Sequence, residues 1–214
     1  MNRSSIDRRE LERRANIVLR DFRGVLPHAE PFFLHSIIYS ARRALRAFEE
    51  YDSLPREQVH AEQLVGAVQE AVGHSGALSR YFWPSMVGHN SKRPLDRIKE
   101  SRAEKLRSAF NFDETSPLYN RQLRNACEHF DERLDAYLIE NDTGFFFPGC
   151  VVDDHTLVDD PREHLFKLID PTAECLVLLG EKYFFAPIRD EVRAVFDQAA
   201  AAERSGSRLK QSAR

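Results

Sequence analysis

The chain has 214 residues, a formal net charge of −3, 42% hydrophobic residues and 30% charged residues, a composition typical of a soluble globular protein. Its fifteen Phe and nine Gly argue against disorder over most of the length. The sequence has no signal peptide and no run of about 18 apolar residues, so it predicts no membrane segment and a cytoplasmic location.

Most of the chain outside residues 144–186 carries hydrophobic side chains at three- and four-residue spacing, which is typical of amphipathic helices. Six helices are predicted, covering 5–22, 31–55, 56–83, 95–110, 116–139 and 187–203. Gly73 and Gly76 predict a bend in the third helix, because each glycine costs about 1 kcal/mol relative to alanine. Ser116 and Pro117 predict the start of the fifth, with serine as its cap.

Residues 144–186 have a different pattern, with short aromatic or β-branched runs separated by turn residues. The runs on either side of Asp170-Pro171-Thr172 predict a small antiparallel β-hairpin or meander. Residues 204–214 are predicted to be disordered. The sequence therefore predicts one mainly α domain over residues 5–203, a helical bundle that includes the 144–186 β-hairpin insertion near its C-terminus.

Charge is distributed unevenly along the chain. Eight Lys or Arg and three acids lie within 80–107, whereas ten acids and one arginine lie within 128–160. A basic stretch can guide a polyanion to an acidic protein, and aromatic rings beside cations are typical of single-stranded RNA sites. Arg80, Tyr81 and Arg102 are therefore candidate RNA-binding residues. The alternatives are a solvated helix face and, for the aromatic residues, core packing at a helix end.

The fifth predicted helix contains the most informative segment. On a helical wheel of about 100° per residue, Arg124, Asn125 and His129 lie on the polar side, opposite the apolar stripe. Asn125 and His129 are four residues apart and can contact each other, whereas Arg124 and His129 are about 140° apart. A symmetric dimer that brings two such helices together would make a better site than one chain.

These three side chains suit RNA cleavage without a metal ion. An imidazole can take the proton from a ribose 2′-hydroxyl, a guanidinium can stabilise charge on the phosphoryl oxygens, and an amide can orient either group. The bare Arg-x4-His spacing occurs about once by chance in a chain of this size, as at Arg23 and His28. The alternative is a solvated helix face on which His129 contacts Asn125 or Glu132.

The segment resembles the signature of the HEPN superfamily, in which an arginine, a polar residue and a histidine occupy the places of Arg124, Asn125 and His129. The resemblance implies a dimeric helical bundle with the motif helix near the two-fold axis. It implies catalytic roles for these residues in a metal-independent endoribonuclease. It also implies a homodimer, RNA as a partner, and a cognate antitoxin or other partner protein. Other members of the superfamily are non-catalytic, so a helical interaction or dimerisation module is the alternative.

No cofactor is predicted, because the chain has no glycine-rich phosphate loop, no GxSxG and no HExxH motif. Its three cysteines are widely spaced without a CxxC pair, which indicates neither a disulfide framework nor a zinc site. The acidic loop from Asp153 to His164 leaves a metal-dependent hydrolase as a third alternative. Its spacing matches no known metal loop, so no metal ligand is predicted.

Overall fold

Helices make up most of the structure, as the sequence predicts. The computed structural model describes residues 6–55, 60–85, 93–160 and 162–209. Its helices are α1 (Arg8–Phe22), α2 (Glu30–Ser53), α3 (Ala61–Phe82), α4 (Pro94–Phe110), α5 (Gln122–Glu128), α6 (Phe130–Glu140) and α7 (Ala186–Arg204). None of these described helices combines the length and the apolar character that crossing a bilayer requires.

Two apolar clusters join the helices to one another and to the strands. α2 packs along α3 and α7, and α1 packs on α4. The first cluster joins α2, α3, α4 and α7, and it includes Leu34, Leu78, Phe82, Leu106 and Val192. The second joins α2, α3 and α5 to the strands, and it includes Phe48, Leu64, Leu123, Ile169 and Leu176. Each large apolar side chain buried in this way contributes about 1.5–3 kcal/mol.

The C-terminal region contains a small sheet, as predicted, but with a different topology. Its strands are β1 (Phe145–Phe147), β2 (Cys150–Val151), β3 (Glu163–Leu165), β4 (Lys167–Asp170), β5 (Cys175–Leu178) and β6 (Glu181–Phe184). β4, β5 and β6 form the predicted antiparallel meander. β2 adds to β4 in parallel, and β1 pairs in parallel with β3 as a separate ribbon. The predicted purely antiparallel arrangement is therefore wrong for β1 and β2. Each pairs in parallel with a strand further along the chain, and local turn patterns do not indicate such pairing.

The predicted helix over 116–139 is wrong in two respects. Its first six residues lie outside any helix, and α5 begins at Gln122, where Asn120 Oδ1 accepts a hydrogen bond from the Gln122 N–H at 2.9 Å. The helix is also interrupted at His129, whose φ of −115° and ψ of 34° leave the helical region. Beyond the interruption, the Lys167 ammonium lies 4.7 Å from the centre of the Phe130 ring. Contacts with the sheet thus help set the direction of α6.

The predicted bend in the third helix is also wrong. α3 runs without interruption through Gly73 and Gly76. A Cβ added at Gly73 would meet nothing within 4 Å, whereas one added at Gly76 would lie 2.3 Å from Cδ of Arg124. Packing on both sides of α3 outweighs the low helix propensity of the two glycines. The predicted start of this helix at Arg56 lies outside the described residues.

The predicted disordered tail is wrong for residues 204–209. Leu209 is buried in the first cluster, and its N–H donates to Glu30 Oε2 at 3.2 Å. Glu30 is itself buried, and its other carboxylate oxygen accepts from Lys105 Nζ at 2.8 Å. Leu209 is thus attached to α2 and, through Glu30, to α4. Residues 210–214 of the predicted tail lie outside the described residues.

Candidate functional site

The candidate site surrounds α5, which is held between α3 and the sheet. Leu123 and Ala126 are buried in the second apolar cluster and fix the rotation of this short helix. Because successive residues are about 100° apart, Arg124 and Asn125 leave the helix in different directions. The two sides of α5 therefore have to be described separately.

On the α3 side, the Arg124 side chain is 13% exposed. Its aliphatic part packs against Gly76, where even a methyl group would collide with it. Nη2 donates to Asn125 Oδ1 at 3.2 Å, and Nε lies 3.4 Å from Glu128 Oε2. Nε and Nη1 are both buried, and neither has a hydrogen-bond partner within the described parts of the chain. Arg124 thus faces the interior, away from open solvent.

On the opposite side, His129 lies at the junction of α5 and α6, and its side chain is 56% exposed. It lines an open groove of about 680 Å³. The lining residues are Gln122, Asn125, Ala126, His129, Arg133, Glu181, Lys182 and Tyr183. His129 Nδ1 lies 3.5 Å from Glu132 Oε2. The structure therefore brings Asn125 and His129 together and leaves Arg124 outside the groove.

The cations of the groove are paired with carboxylates. Arg133 donates to the Tyr183 hydroxyl at 2.9 Å and to Glu181 Oε2 at 2.8 Å, and these bonds raise the pKa of Arg133. The Tyr183 hydroxyl also donates to Glu181, which together with Arg133 holds the pKa of Glu181 below its ordinary value. Lys182 Nζ lies 2.7 Å from Asp159 Oδ2. The positive charges of Arg133 and Lys182 in the groove are therefore balanced by carboxylates.

The three residues predicted to bind RNA lie outside this groove. Arg80 is exposed in the last turn of α3, and Tyr81 packs partly buried against the first cluster. The Arg102 guanidinium lies 5.3 Å from the centre of the Phe33 ring, and burial lowers the pKa of Arg102. The geometry thus does not connect these residues with His129, and RNA binding by them stays a prediction.

Side chains of the acidic loop considered as a metal site form contacts with other residues of the chain. Asp154 accepts from the N–H and the hydroxyl of Thr156, and His155 Nδ1 lies 2.8 Å from Asp170 Oδ2. The buried His164 contacts the Tyr137 hydroxyl and the Thr143 carbonyl through its two ring nitrogens. Within the described residues, no three His, Cys, Asp or Glu side chains converge on a common point. The structure thus gives the metal-dependent hydrolase no support.

Sequence reasoning missed several residues of the groove. Arg133 follows His129 by four residues, so helical spacing could have identified it. Lys182 and Tyr183 come from β6, about fifty residues further along the chain, and no local pattern links them to α5. Arg121, next to Arg124 on the α3 side, was also missed.

Comparison with known proteins gives no match. No protein-family model matches the chain, and no curated protein or solved structure is detectably similar to it.

Proposed function

We propose that this protein is an HEPN-like RNA-processing protein that cleaves RNA without a metal ion at the His129 groove. The observation that supports the proposal most directly is the meeting of His129, Asn125 and Arg133 in one open groove. An imidazole, an amide and a guanidinium are the groups that transesterification at a phosphodiester needs. The sequence motif and the groove therefore support the same chemistry.

In the proposed reaction, an imidazole nitrogen of His129 takes the proton from a ribose 2′-hydroxyl. The 2′-oxygen attacks the adjacent phosphorus, and the bond from phosphorus to the 5′-oxygen breaks. The leaving 5′-oxygen receives a proton from an imidazolium, so the products are a 2′,3′-cyclic phosphate and a 5′-hydroxyl end. General acid–base catalysis of this kind accelerates a reaction by about 10²–10⁴-fold.

The proposal changes the role that the motif implies for Arg124. Because Arg124 faces α3, we assign phosphate stabilisation in the groove to Arg133. Arg124 acts as a positioning residue that holds Asn125 Oδ1 through Nη2. The Arg133–Glu181 pair is 37% and 59% exposed, and exposed ion pairs contribute about 0–1 kcal/mol. A phosphate can therefore replace Glu181 as the partner of Arg133 at little cost.

A second copy of the chain would complete the site, as the resemblance implies. α6 has no fully buried residue, and Ile139 near its end is 82% exposed. The three phenylalanines of β1 follow and are also exposed. Apolar side chains presented together are typical of protein–protein interfaces. A homodimer through this surface would provide a second imidazole, one acting as base and the other as acid.

The test is cleavage of mixed RNA by purified protein in EDTA, with product ends identified by mass. We expect cyclic phosphate ends from wild type and at least a hundredfold slower cleavage by His129→Ala. His35→Ala is the matched control, because His35 is an exposed histidine on α2. Equal cleavage by wild type and His129→Ala, or cleavage by neither, would remove the nuclease proposal.

A non-catalytic interaction module is the second candidate. It is favoured by the pairing of Arg124 with Glu128 and of Arg133 with Glu181, since both arginines then have structural roles. In this case the exposed surface of α6 and β1 binds a second copy or a partner protein such as an antitoxin. Ile139→Asp would then change the mass measured by light scattering, while wild type would leave RNA intact.

A further inference from the structure

The α3 side of α5 contains a second feature that the proposed nuclease reaction does not use. A cavity of about 20 Å³ lies between α3 and the segment that leads into α5. Its lining includes Ser75, Gly76 and Ser79 from α3, and Asn120, Arg121 and Arg124 from the facing segment. A volume of this size holds one water-sized group, such as a single oxygen atom of a larger ligand.

Positive charge accumulates around this cavity. Burial lowers the pKa of Arg121, and the nearby guanidiniums of Arg124 and Arg80 lower it further. Arg121 donates to the Trp83 carbonyl, but neither it nor Arg80 has an ion pair within the described residues. Glu128 is the ion-pair partner of Arg124. Two guanidiniums, those of Arg121 and Arg124, therefore line the cavity, and Arg121 has no ion pair among the described residues.

Hydrogen-bond donors are also left over at the cavity. Ser75 and Ser79 use their hydroxyl protons on carbonyls of their own helix, at 2.8 and 3.1 Å. Nε of Arg124 lies 3.4 Å from Glu128 Oε2, whereas the buried Nη1 has no hydrogen-bond partner in the described parts of the chain. A buried donor without an acceptor is costly, and a guanidinium presents its N–H groups in the geometry of phosphate oxygens. An oxyanion in the cavity would supply the acceptor that Nη1 lacks.

We infer that this cavity is a binding site for a phosphate monoester or inorganic phosphate. One phosphoryl oxygen enters the cavity and accepts from Arg124, and the rest of the group lies at the mouth beside Arg121. A phosphate monoester carries about −1.5 to −2 charges at neutral pH, opposite in sign to the two guanidiniums that line the cavity. The site is separate from the His129 groove and does not require that groove to cleave RNA.

Gly76 and Gly73 provide a matched pair of variants for this site. Gly76→Ala places a methyl group against Cδ of Arg124, so the flexible arginine has to move out of the cavity while its charge is kept. Gly73→Ala adds the same methyl group three residues earlier on α3, where nothing lies within 4 Å. Arg121→Gln removes one guanidinium, together with its hydrogen bond to the Trp83 carbonyl, and adds no group against α3.

The experiment is isothermal titration of the full chain with inorganic phosphate against sodium chloride of equal ionic strength. We expect one saturable site in wild type, in Gly73→Ala and in His129→Ala. Binding should be at least about tenfold weaker in Arg121→Gln and in Gly76→Ala. Absence of saturable binding in wild type, or equal affinity in wild type and Arg121→Gln, would overturn the inference. If Gly76→Ala does not fold, as judged by circular dichroism, Arg121→Gln decides the question.

Competition then identifies the source of the phosphate. An oligoribonucleotide with a 5′-phosphate is compared with the same oligonucleotide carrying a 5′-hydroxyl. Displacement of inorganic phosphate by the first alone supports the end of an RNA as the ligand. Displacement by neither supports the free anion or a small phosphate monoester. Equal displacement by both overturns the assignment to a monoester, because internal phosphodiesters would then bind as well.

Discussion

The two sides of α5 show how different the surroundings of neighbouring residues can be. Arg124 faces α3, where it is largely buried near other guanidiniums and its Nη1 has no acceptor among the described residues. His129 faces an open groove in which Arg133 and Lys182 are paired with carboxylates. A motif that is continuous in sequence thus provides two separate chemical environments. The buried Leu123 and Ala126 lie between the two sides of α5 and hold both sides in place. The comparison can therefore be tested by substitutions at Leu123 and on each side of α5.

The largest effect is expected from the residue between the two sides. Leu123→Ala should lower the free energy of unfolding by about 2–5 kcal/mol, because it leaves a cavity in the second cluster. Phosphate binding and RNA cleavage should decline together. Leu95→Ala on α4 is the control, and since Leu95 is exposed we expect a change within about 0.5 kcal/mol. Chemical denaturation measures both, and equal effects would contradict the central position of Leu123.

The second prediction concerns Cys127, which is also part of α5. Burial raises the pKa of this thiol from 9.0 to about 11. The folded state therefore keeps its proton between pH 9 and 11 while the unfolded state loses it, so stability falls as the pH rises through this range. We expect wild type to lose about 2 kcal/mol more than Cys127→Ala over that interval. Denaturation at several pH values measures the difference, and parallel curves would contradict the burial of Cys127.

The third prediction compares the two arginines directly. Arg124→Met keeps a stem of similar length against Gly76 and removes a buried guanidinium whose Nη1 has no acceptor among the described residues. We expect it to raise the free energy of unfolding by about 1 kcal/mol in phosphate-free buffer. Arg133→Met removes an exposed ion pair and should lower it by less than about 1 kcal/mol. Destabilisation by Arg124→Met would mean that its contacts with Asn125 and Glu128 outweigh its burial.

The smallest effect is expected from the partner of His129. The His129–Glu132 pair is exposed on both sides and separated by 3.5 Å. Glu132→Gln should change the free energy of unfolding by less than about 0.5 kcal/mol. RNA cleavage should be kept or improved, since a negative charge near the phosphate is removed. A loss of cleavage with unchanged stability would give Glu132 a role in orienting the imidazole.

Local sequence patterns predicted many of the helices well. The predicted ends of α1, α2, α4 and α7 lie within about three residues of those observed, because caps, prolines and apolar stripes determine them. The small β-meander near the C-terminus was confirmed as well. α3 was predicted with a bend that is absent, since packing beside Gly76 stabilises the straight helix. The helix propensity of a glycine does not include the packing of neighbouring side chains against it.

The site was less predictable than the fold. A continuous helix over 116–139 would place Arg124, Asn125 and His129 on one polar surface, but the helix is interrupted at His129 and Arg124 is covered by α3. The burial of Arg124 depends on a glycine 48 residues earlier in the chain. The groove is also lined by β6, which lies more than fifty residues further along the chain. Contacts between distant segments determine the burial of Arg124 and the shape of the groove. Residue spacing within one helix does not predict such contacts.

The attachment of Arg208 and Leu209 to Glu30 has a practical consequence. Arg208 and Leu209 cover a carboxylate that also accepts from Lys105, so they seal one end of the interior. A protease that trims the purified protein after Arg204 would admit water beside this ion pair and loosen α2 from α4. The region around α5 would be untouched, so a sample shortened during storage would melt earlier while its arginine and histidine chemistry stayed intact.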